Sequence, residues 1–300
     1  MNKAIVTGAA GFIGQALVKK LLSLDIEVIA VDLIDLPGEK KCHSLTIDIS
    51  EKNVLNKYLD DKTTIFHLAA RASVPGSVKD PRGDFVNTLY GLFEILESAK
   101  QYNSKVIFPS TASIFDTNNP LPVSERAYVK PSSPYGAAKV SGEAYCSAYY
   151  RCYGLDVRIA RMFSVYGIGM NRFAIYDMVK KILTNNQELV ILGDGQQIRD
   201  YLYIDDVVQG LFEIATKGEP GEDYNLASGE PVNIYDLAKK IAILMGYEKI
   251  VIKPTGESFP GDVPKWYADI SKIKKIGFAQ RISLEEGLKL TIDWIIKHSK

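Results

Sequence analysis

Cysteine is scarce in this chain. The three present, Cys42, Cys146 and Cys152, are an odd number and lack the Cys-x-x-Cys spacing of a metal site. They are expected to be free thiols of a reducing compartment, with Cys146 and Cys152 packing on a helix and no metal bound. Net charge is absent as well, because 36 Lys and Arg balance 36 Asp and Glu. Nothing in that balance suggests a broad basic surface for nucleic acid or a polybasic membrane patch, so an anionic ligand is expected to be held by a few local charges. No apolar run is long enough to cross a bilayer. Met1-Asn2-Lys3 leads straight into a strand, so no signal peptide is expected, and the expected location is cytoplasmic. Internal repeats and low-complexity segments are also missing. What remains is an ordinary globular composition, 46% hydrophobic and 24% charged, over 300 residues. That length exceeds one typical domain and is short for three.

Short β-rich apolar runs alternate with helical patterns through the first half, which predicts a doubly wound parallel sheet of the Rossmann type. Strands are expected at Lys3–Thr7, Glu27–Val31, Ser44–Ile47, Thr63–Leu68, Lys105–Pro109 and Leu155–Arg161. Helices are expected at Phe12–Ser23, Val54–Leu59, Gly83–Tyr102 and Tyr135–Tyr153. A Pro-, Ser- and Asn-rich stretch, Asp116–Pro134, interrupts the alternation, and loops of that length are usually functional. After Gly167 the pattern weakens to mixed short elements and ends in an amphipathic helix from Ser283 to about Lys297. This predicts a smaller α+β C-terminal substrate domain. The expected division is 1–165, with a returning segment at about 200–226, against about 166–199 and 227–300.

Gly8, Gly11 and Gly14 join the first strand to the first helix. In a nucleotide-binding turn one glycine makes the bend, one lets backbone approach a pyrophosphate, and one lets helix pack on strand. The diphosphate then sits at the helix N-terminus, where free N–H groups and the dipole favour negative charge. A tight strand–helix connection would explain the glycines alone. Asp32, at the end of the second strand, adds a carboxylate able to accept from both ribose hydroxyls of an adenosine, and it would repel a 2′-phosphate. Together they predict NAD rather than NADP.

Tyr135 and Lys139 lie four residues apart on a helix that Pro134 helps to start, so both share one face. An ammonium beside a phenol stabilises the phenolate and lowers its pKa, making the tyrosine a base. Spacing alone favours a surface aromatic beside a solvated lysine, since tyrosine is common here, with 17 in the chain. The pair, however, follows the fifth strand, where a doubly wound sheet presents groups to its ligand crevice. Ser110 and Thr111 end that strand, and a hydroxyl there can bridge the tyrosine and a substrate oxygen. His67 is readily explained as a strand-end core residue.

Taken in order, Gly-x-x-Gly-x-x-Gly, His67-Leu68-Ala69-Ala70, Thr111, Tyr-x-x-x-Lys and Arg199-Asp200-Tyr201-Leu202-Tyr203-Ile204-Asp205-Asp206 resemble the extended short-chain dehydrogenases. More narrowly, the chain resembles their NAD-dependent nucleotide-sugar epimerases and dehydratases, from about Lys3 to Trp294. The resemblance implies that Gly8, Gly11, Phe12, Ile13 and Gly14 hold the cofactor with Asp32. It also implies that Asp48 and Ile49 flank the adenine and that Leu68, Ala69 and Ala70 line the cofactor. Tyr135 would be the acid/base, Thr111 the hydroxyl beside it, and Lys139 would also bind the nicotinamide ribose. In such enzymes hydride leaves the sugar C4 to give a 4-keto sugar. A dehydratase then needs the carboxylates of a Thr-Asp-Glu motif, and a UDP-glucuronate decarboxylase a glutamate at its second position. Here the motif is Thr111-Ala112-Ser113, which argues against both.

On the substrate side the resemblance implies that Arg199 binds a diphosphate oxygen, a task suited to its planar fork, with Ser164 and Asp262 also at the substrate. Asp205 and Asp206 precede a helix at Val207–Ala215 and are adequately explained as caps. Three positions depart from the family: Ser164 replaces an asparagine, Phe259 an arginine, and Ile114-Phe115-Asp116 a Val-Tyr-Gly. Each lost charge-assisted hydrogen bond weakens binding by roughly 1.5–3 kcal/mol unless replaced, with Arg172, Lys265 and Arg71 as candidate replacements. The expected activity is therefore C4 epimerisation of a nucleotide-diphosphate sugar, a UDP-sugar by preference. A reductase or oxidase of a keto sugar and a non-catalytic NAD(H)-sensing regulator are the alternatives. Relatives pair through the helices equivalent to Gly83–Tyr102 and Tyr135–Tyr153, and Tyr145, Tyr149, Tyr150 and Tyr153 fit such a homodimer.

Overall fold

A computed structural model describes residues 1–36, 42–258 and 260–299. Its centre is a seven-stranded, all-parallel sheet. The strands are β1 (Lys3–Thr7), β2 (Glu27–Asp32), β3 (His43–Thr46), β4 (Thr63–His67), β5 (Lys105–Thr111), β6 (Val157–Met162) and, returning late in the chain, Asp223–Leu226. Three further strands precede that one: β7 (Ser164–Tyr166), β8 (Glu188–Ile191) and β9 (Ile198–Tyr203), so the returning strand is β10. The order across the large sheet is β3-β2-β1-β4-β5-β6-β10. β4 is buried throughout and β1 from its second residue, because helices cover both faces of the sheet. Alternate residues feed opposite sides. Ala4, Val6, Val28 and Ala30 enter one core, while Ile5, Ile29, Val31 and Ile65 enter the other.

The helices are α1 (Phe12–Leu22), α2 (Val74–Lys79), α3 (Pro81–Phe85), α4 (Gly91–Tyr102), α5 (Pro134–Tyr153), α6 (Ala174–Thr184), α7 (Ile204–Lys217), α8 (Ile234–Leu244), α9 (Ser271–Lys275) and α10 (Leu284–His298). The six expected strands and the long helices are present, with ends moved by up to three residues. Two elements differ. Val54–Leu59 closes only a single 3-10 turn, Asn56–Tyr58, after Asn53 takes a left-handed φ of 62°. The segment expected as one helix at Gly83–Tyr102 starts earlier, at Pro81, and is α-helical only in part. Asp80 caps it by accepting from the Gly83 N–H at 2.9 Å, and a π-helical turn at Val86–Tyr90 separates α3 from α4.

Two small sheets complete the fold, one in the order β11 (Pro231–Asn233)-β9-β7 and one pairing β12 (Val251–Pro254) with β8. Asp206 does not cap α7, contrary to the sequence expectation. Tyr203 occupies the cap position without a side-chain bond, and the buried Asp206 carboxylate accepts from the Arg281 and Ile282 N–H groups, both at 3.0 Å. It pins the segment before α10 to α7. Among the described residues, no helix is long and apolar enough to cross a membrane.

Candidate active site

The sheet order reverses at β1, whose neighbours are β2 and β4, and the crevice opens at the C-terminal ends of these strands. Gly8 makes the bend there with a φ of 68°, and a Cβ on it would lie 2.7 Å from the Ala69 nitrogen. A Cβ on Gly14 would lie 2.1 Å from the Gly8 carbonyl oxygen, so only glycine lets α1 start this close to β1. Asp32 closes the turn from the far side. Its Oδ2 accepts from the Ala10 N–H at 2.9 Å and its Oδ1 from the Leu33 N–H at 2.7 Å. Phe12 and Ile13 form the first turn of α1, which begins at Gly11 without a side-chain cap and leaves its N–H groups to a ligand.

On the other side of the crevice, Leu68, Ala69 and Ala70 follow β4. The Ala69 N–H donates to Thr7 Oγ1 at 3.3 Å, and Thr7 Oγ1 lies 3.0 Å from His67 Nδ1. His67 is buried and stacks on Phe108, and burial, helped by Lys139, pushes it down to about 3. It is therefore a neutral core histidine. Asp48 is exposed beyond β3 and accepts from both the nitrogen and the hydroxyl of Ser50, at 2.9 and 2.7 Å. Ile49 lies over Gly91 at the start of α4. A glycine turn shaped for a diphosphate and a carboxylate at the end of β2 fit a dinucleotide.

Thr111, Tyr135 and Lys139 meet where β5 ends and α5 begins. Thr111 caps a 3-10 turn at Ala112–Ile114, its Oγ1 accepting from the Ser113 N–H at 3.1 Å and lying 3.2 Å from Ser113 Oγ. Ser133 caps α5 by accepting from the Gly136 N–H at 3.1 Å, and Pro134 fills the first helical position. A Cβ on Gly136 would lie 2.6 Å from the Ser113 carbonyl oxygen, so a glycine here lets α5 press against the Thr111 turn. Lys139 is buried, donates to the Pro109 carbonyl at 2.7 Å and lies 4.7 Å from the Phe108 ring centroid. Burial brings its ammonium down to about 8, against Asp84, Cys146 and Glu143, which hold it up.

The expected lowering of Tyr135 by its lysine is not what the chain alone produces. Burial pushes the phenol up to about 12, and a hydrogen bond with Thr111 and the charge of Arg172 only partly oppose that rise. Asp84 adds to it.

Arg199, on β9, is already engaged. One Nη2 hydrogen goes to Asp262 Oδ1 at 2.6 Å, Nη1 donates to the Ile198 and Pro264 carbonyls at 2.9 and 3.2 Å, and the guanidinium covers Trp266. Asp262 Oδ2 accepts from Ser258 Oγ at 2.7 Å. Ser164 is half-buried on β7, opposite Tyr201 of β9. Phe259 lies outside the described residues. Of the three replacement cations, Arg71 pairs with Asp80 at 2.6 Å, Arg172 stacks on Phe173, and Lys265 is bridged through its backbone to Ile198 beside Arg199.

Several contributors escaped the sequence reading. Asp200 is fully buried and accepts four bonds, from Ser228 N–H and Oγ, Gly229 N–H and Ala268 N–H, at 2.6–3.1 Å. It ties β9 to the chain at Ser228–Gly229 and at Ala268. Phe173, beside Arg172, holds a φ of 75°, a strained value for an aromatic residue. The Asp80-Pro81 start of α3 was readable from its cap chemistry and was missed.

A family model for the NAD-dependent epimerase/dehydratase family matches residues 4–227. The chain belongs to that family. It is 33% identical to a UDP-glucuronate 4-epimerase of Thermodesulfobacterium geofontis, over 98% of this chain and 96% of that one. The solved UDP-glucose 4-epimerase of Thermotoga maritima with UDP-glucose superposes with a TM-score of 0.90 at 33% identity, covering 99% and 100% of the two chains. A dTDP-glucose 4,6-dehydratase of Streptomyces venezuelae, solved with NAD bound, gives a TM-score of 0.90 at 25% identity over 99% and 97%. The fold is thus the Rossmann type of these enzymes, and the cofactor is NAD.

Proposed function

We propose that this family member is an epimerase that inverts C4 of a nucleotide-diphosphate sugar, a UDP-sugar by preference, through a 4-keto intermediate. The observation that carries the reading is the meeting of Thr111, Tyr135 and Lys139 at the crevice with no carboxylate on the catalytic turn. Ala112 has no polar group and Ser113 Oγ is occupied with Thr111, so the acid/base pair needed to expel a C6 oxygen is missing from that turn. This favours epimerase over dehydratase.

Bound NAD supplies a hydride acceptor and a positively charged ring. Tyr135 takes the proton of the sugar hydroxyl and later returns it, and Thr111 orients the same oxygen. Lys139, held charged, supports the phenolate that burial alone disfavours. Asp32 accepts from the adenosine ribose, and Arg199, with Ser164 and Asp262, holds the nucleotide side. In this reading residues 1–165 and about 200–226 carry NAD, while about 166–199 and 227–300 carry the sugar nucleotide.

Two copies pair through α4 and α5 in the same reading. Tyr145, Tyr150 and Tyr153 are 43%, 40% and 60% exposed on α5, whereas Tyr149 is turned inward onto Glu97 and adds nothing to that surface.

The test is incubation of the purified protein, without added cofactor, with a panel of UDP-, dTDP-, GDP- and CDP-sugars, followed by NMR of the products. Inversion at C4 with no net consumption of NAD is the expected result, because the hydride is returned within each turnover. Stoichiometric use of NAD(P)H would make the enzyme a reductase, and binding of NAD(H) without turnover would leave a regulator.

A further inference from the structure

Asp84 is a charge the chemistry above leaves unused. It lies on α3, is 1% exposed, and neither of its carboxylate oxygens has a hydrogen-bond partner. A carboxylate buried in that way is strongly disfavoured unless an opposite charge faces it. α3 packs against α5, and the Lys139 ammonium, buried on α5 and donating to the Pro109 carbonyl, lies within electrostatic reach of Asp84 without a direct ion pair. Burial pushes the Asp84 carboxyl up, and Lys139 is the first charge that opposes the rise, ahead of Arg71.

The other charged groups around the two are committed elsewhere. Arg71 and Asp80, which also reach Asp84, pair with each other at the surface. On the lysine side, Glu143 makes two bonds to Arg161 at 3.0 and 2.7 Å. Burial pushes the Cys146 thiol up, so it stays protonated, and His67 from β4 is neutral. Tyr135 is neutral in the free chain. Among the described residues in electrostatic reach of Lys139, Asp84 is the uncommitted acid. Just beyond it the helix widens into the π-helical turn, a form that recurs at functional sites. That turn carries Thr88, whose buried hydroxyl is likewise without a partner.

We propose that Asp84 is the counter-ion of Lys139, a positioning residue that keeps the ammonium charged inside the crevice. The proposal rests on the reading of Tyr135 and Lys139 as the working pair. Burial draws the lysine down towards neutrality, and a cationic ring bound beside it acts in the same direction. The carboxylate opposes both. Without it the lysine sheds its proton at a lower pH, and the Tyr135 phenolate loses its support.

The test compares the NAD-loaded enzyme with its Asp84→Asn variant across neutral and alkaline pH. The alkaline limb of kcat is expected to move down by about one unit or more, with KM for the sugar nucleotide unchanged. A limb that stays in place while only Tm falls overturns the proposal, because a structural role predicts that. The second readout needs no turnover. Asp84→Asn is expected to lower Tm in the native background and to raise it in a Lys139→Met background, where the buried carboxylate has lost its opposite charge. Equal losses in both backgrounds overturn the proposal. Should the single variant fail to fold, recovery of folding in the Asp84→Asn/Lys139→Met double variant is expected, and its failure refutes the pairing. Tyr135→Phe separates the two levels. Turnover retained there removes the working pair itself, whereas a dead Tyr135→Phe beside an unmoved alkaline limb removes only the counter-ion.

Discussion

Replacing Gly136 by alanine sets two physical effects against each other. Gly136 sits in the first turn of α5, where alanine is the better helix former by about 0.5–1 kcal/mol. On propensity alone the variant should be more stable. The new methyl, however, would lie 2.6 Å from the Ser113 carbonyl oxygen and 2.9 Å from Pro131 Cβ, where ordinary contact begins at 3.4 Å. The start of α5 must then retreat from the Ser113 backbone by about 0.8 Å, the difference between 3.4 and 2.6 Å. Overpacking of that kind costs about 1–3 kcal/mol, so a net loss of up to about 2.5 kcal/mol and a Tm lower by a few degrees are expected. Catalysis should suffer more than stability. Tyr135 and Lys139 ride on the displaced helix, while Thr111 stays with Ser113 on the other side of the contact. Misplacement approaching 1 Å costs on the order of tenfold to a hundredfold in kcat. NAD affinity should fall less than kcat, because the Gly8–Gly14 turn and Asp32 belong to other elements and only the Lys139 contact moves with α5. Steady-state kinetics by NMR, calorimetric Tm and NAD titration give the three numbers. A variant with raised Tm and native kcat would refute the close-approach argument.

Tyr135→Phe should abolish turnover while NAD binding stays nearly intact, and full activity in that variant would remove Tyr135 as the acid/base. Arg199→Ala should raise KM for the nucleotide sugar by about tenfold or more, the equivalent of one charge-assisted bond of roughly 1.5–3 kcal/mol, and an unchanged KM would take the diphosphate away from this residue. His67 gives a pH prediction. Its folded pKa is lowered from 6.5 to about 3, first by burial and then by Lys139. The unfolded chain therefore binds the proton first, and stability falls as pH drops below 6.5 towards about 3, by about 2 kcal/mol at about pH 5. Denaturant titrations of the native protein and His67→Gln should show that part of the acid slope disappearing in the variant. The same slope in both would mean that His67 is solvated.

The nucleotide half of the site was legible because local sequence makes it. Gly8, Gly11 and Gly14 are consecutive features of one strand–turn–helix, and Asp32 ends the very next strand, so one βαβ unit contains the whole argument. Tyr135 and Lys139 were legible for the same reason, as two turns of one helix. Their electrostatics were not. An ammonium one turn away predicted a lowered phenol, but burial, which depends on α2, α3 and β5 packing against α5, sends Tyr135 the other way. The π-helical turn between α3 and α4 was hidden for a related reason, since its residues read as ordinary helix and only packing against α5 distinguishes them. Asp206 shows the reverse error. Two acids before a helix satisfy a capping rule, yet the partners of Asp206 are 75 and 76 residues away at Arg281 and Ile282.

The substrate half is harder to read because its residues answer one another across long stretches of chain. Arg199 and Asp262 both belong to motifs that imply substrate contact, and in the fold they first satisfy each other, 63 residues apart. A guanidinium offers five N–H donors. Three are used here, one on Asp262 and two on carbonyls, which leaves two for a diphosphate. The neighbouring carboxylate, however, offsets the positive charge that a diphosphate would otherwise meet in full. On the proposed function, a further cation near the phosphates would offset that loss. Arg71 is committed to Asp80 and Arg172 to the Phe173 ring, whereas Lys265 is exposed and bridged to the residue beside Arg199. A motif comparison looks for a lost arginine at its own position. The physical requirement is for positive charge near the phosphates, and a parallel strand contact can deliver that from a different place in the sequence.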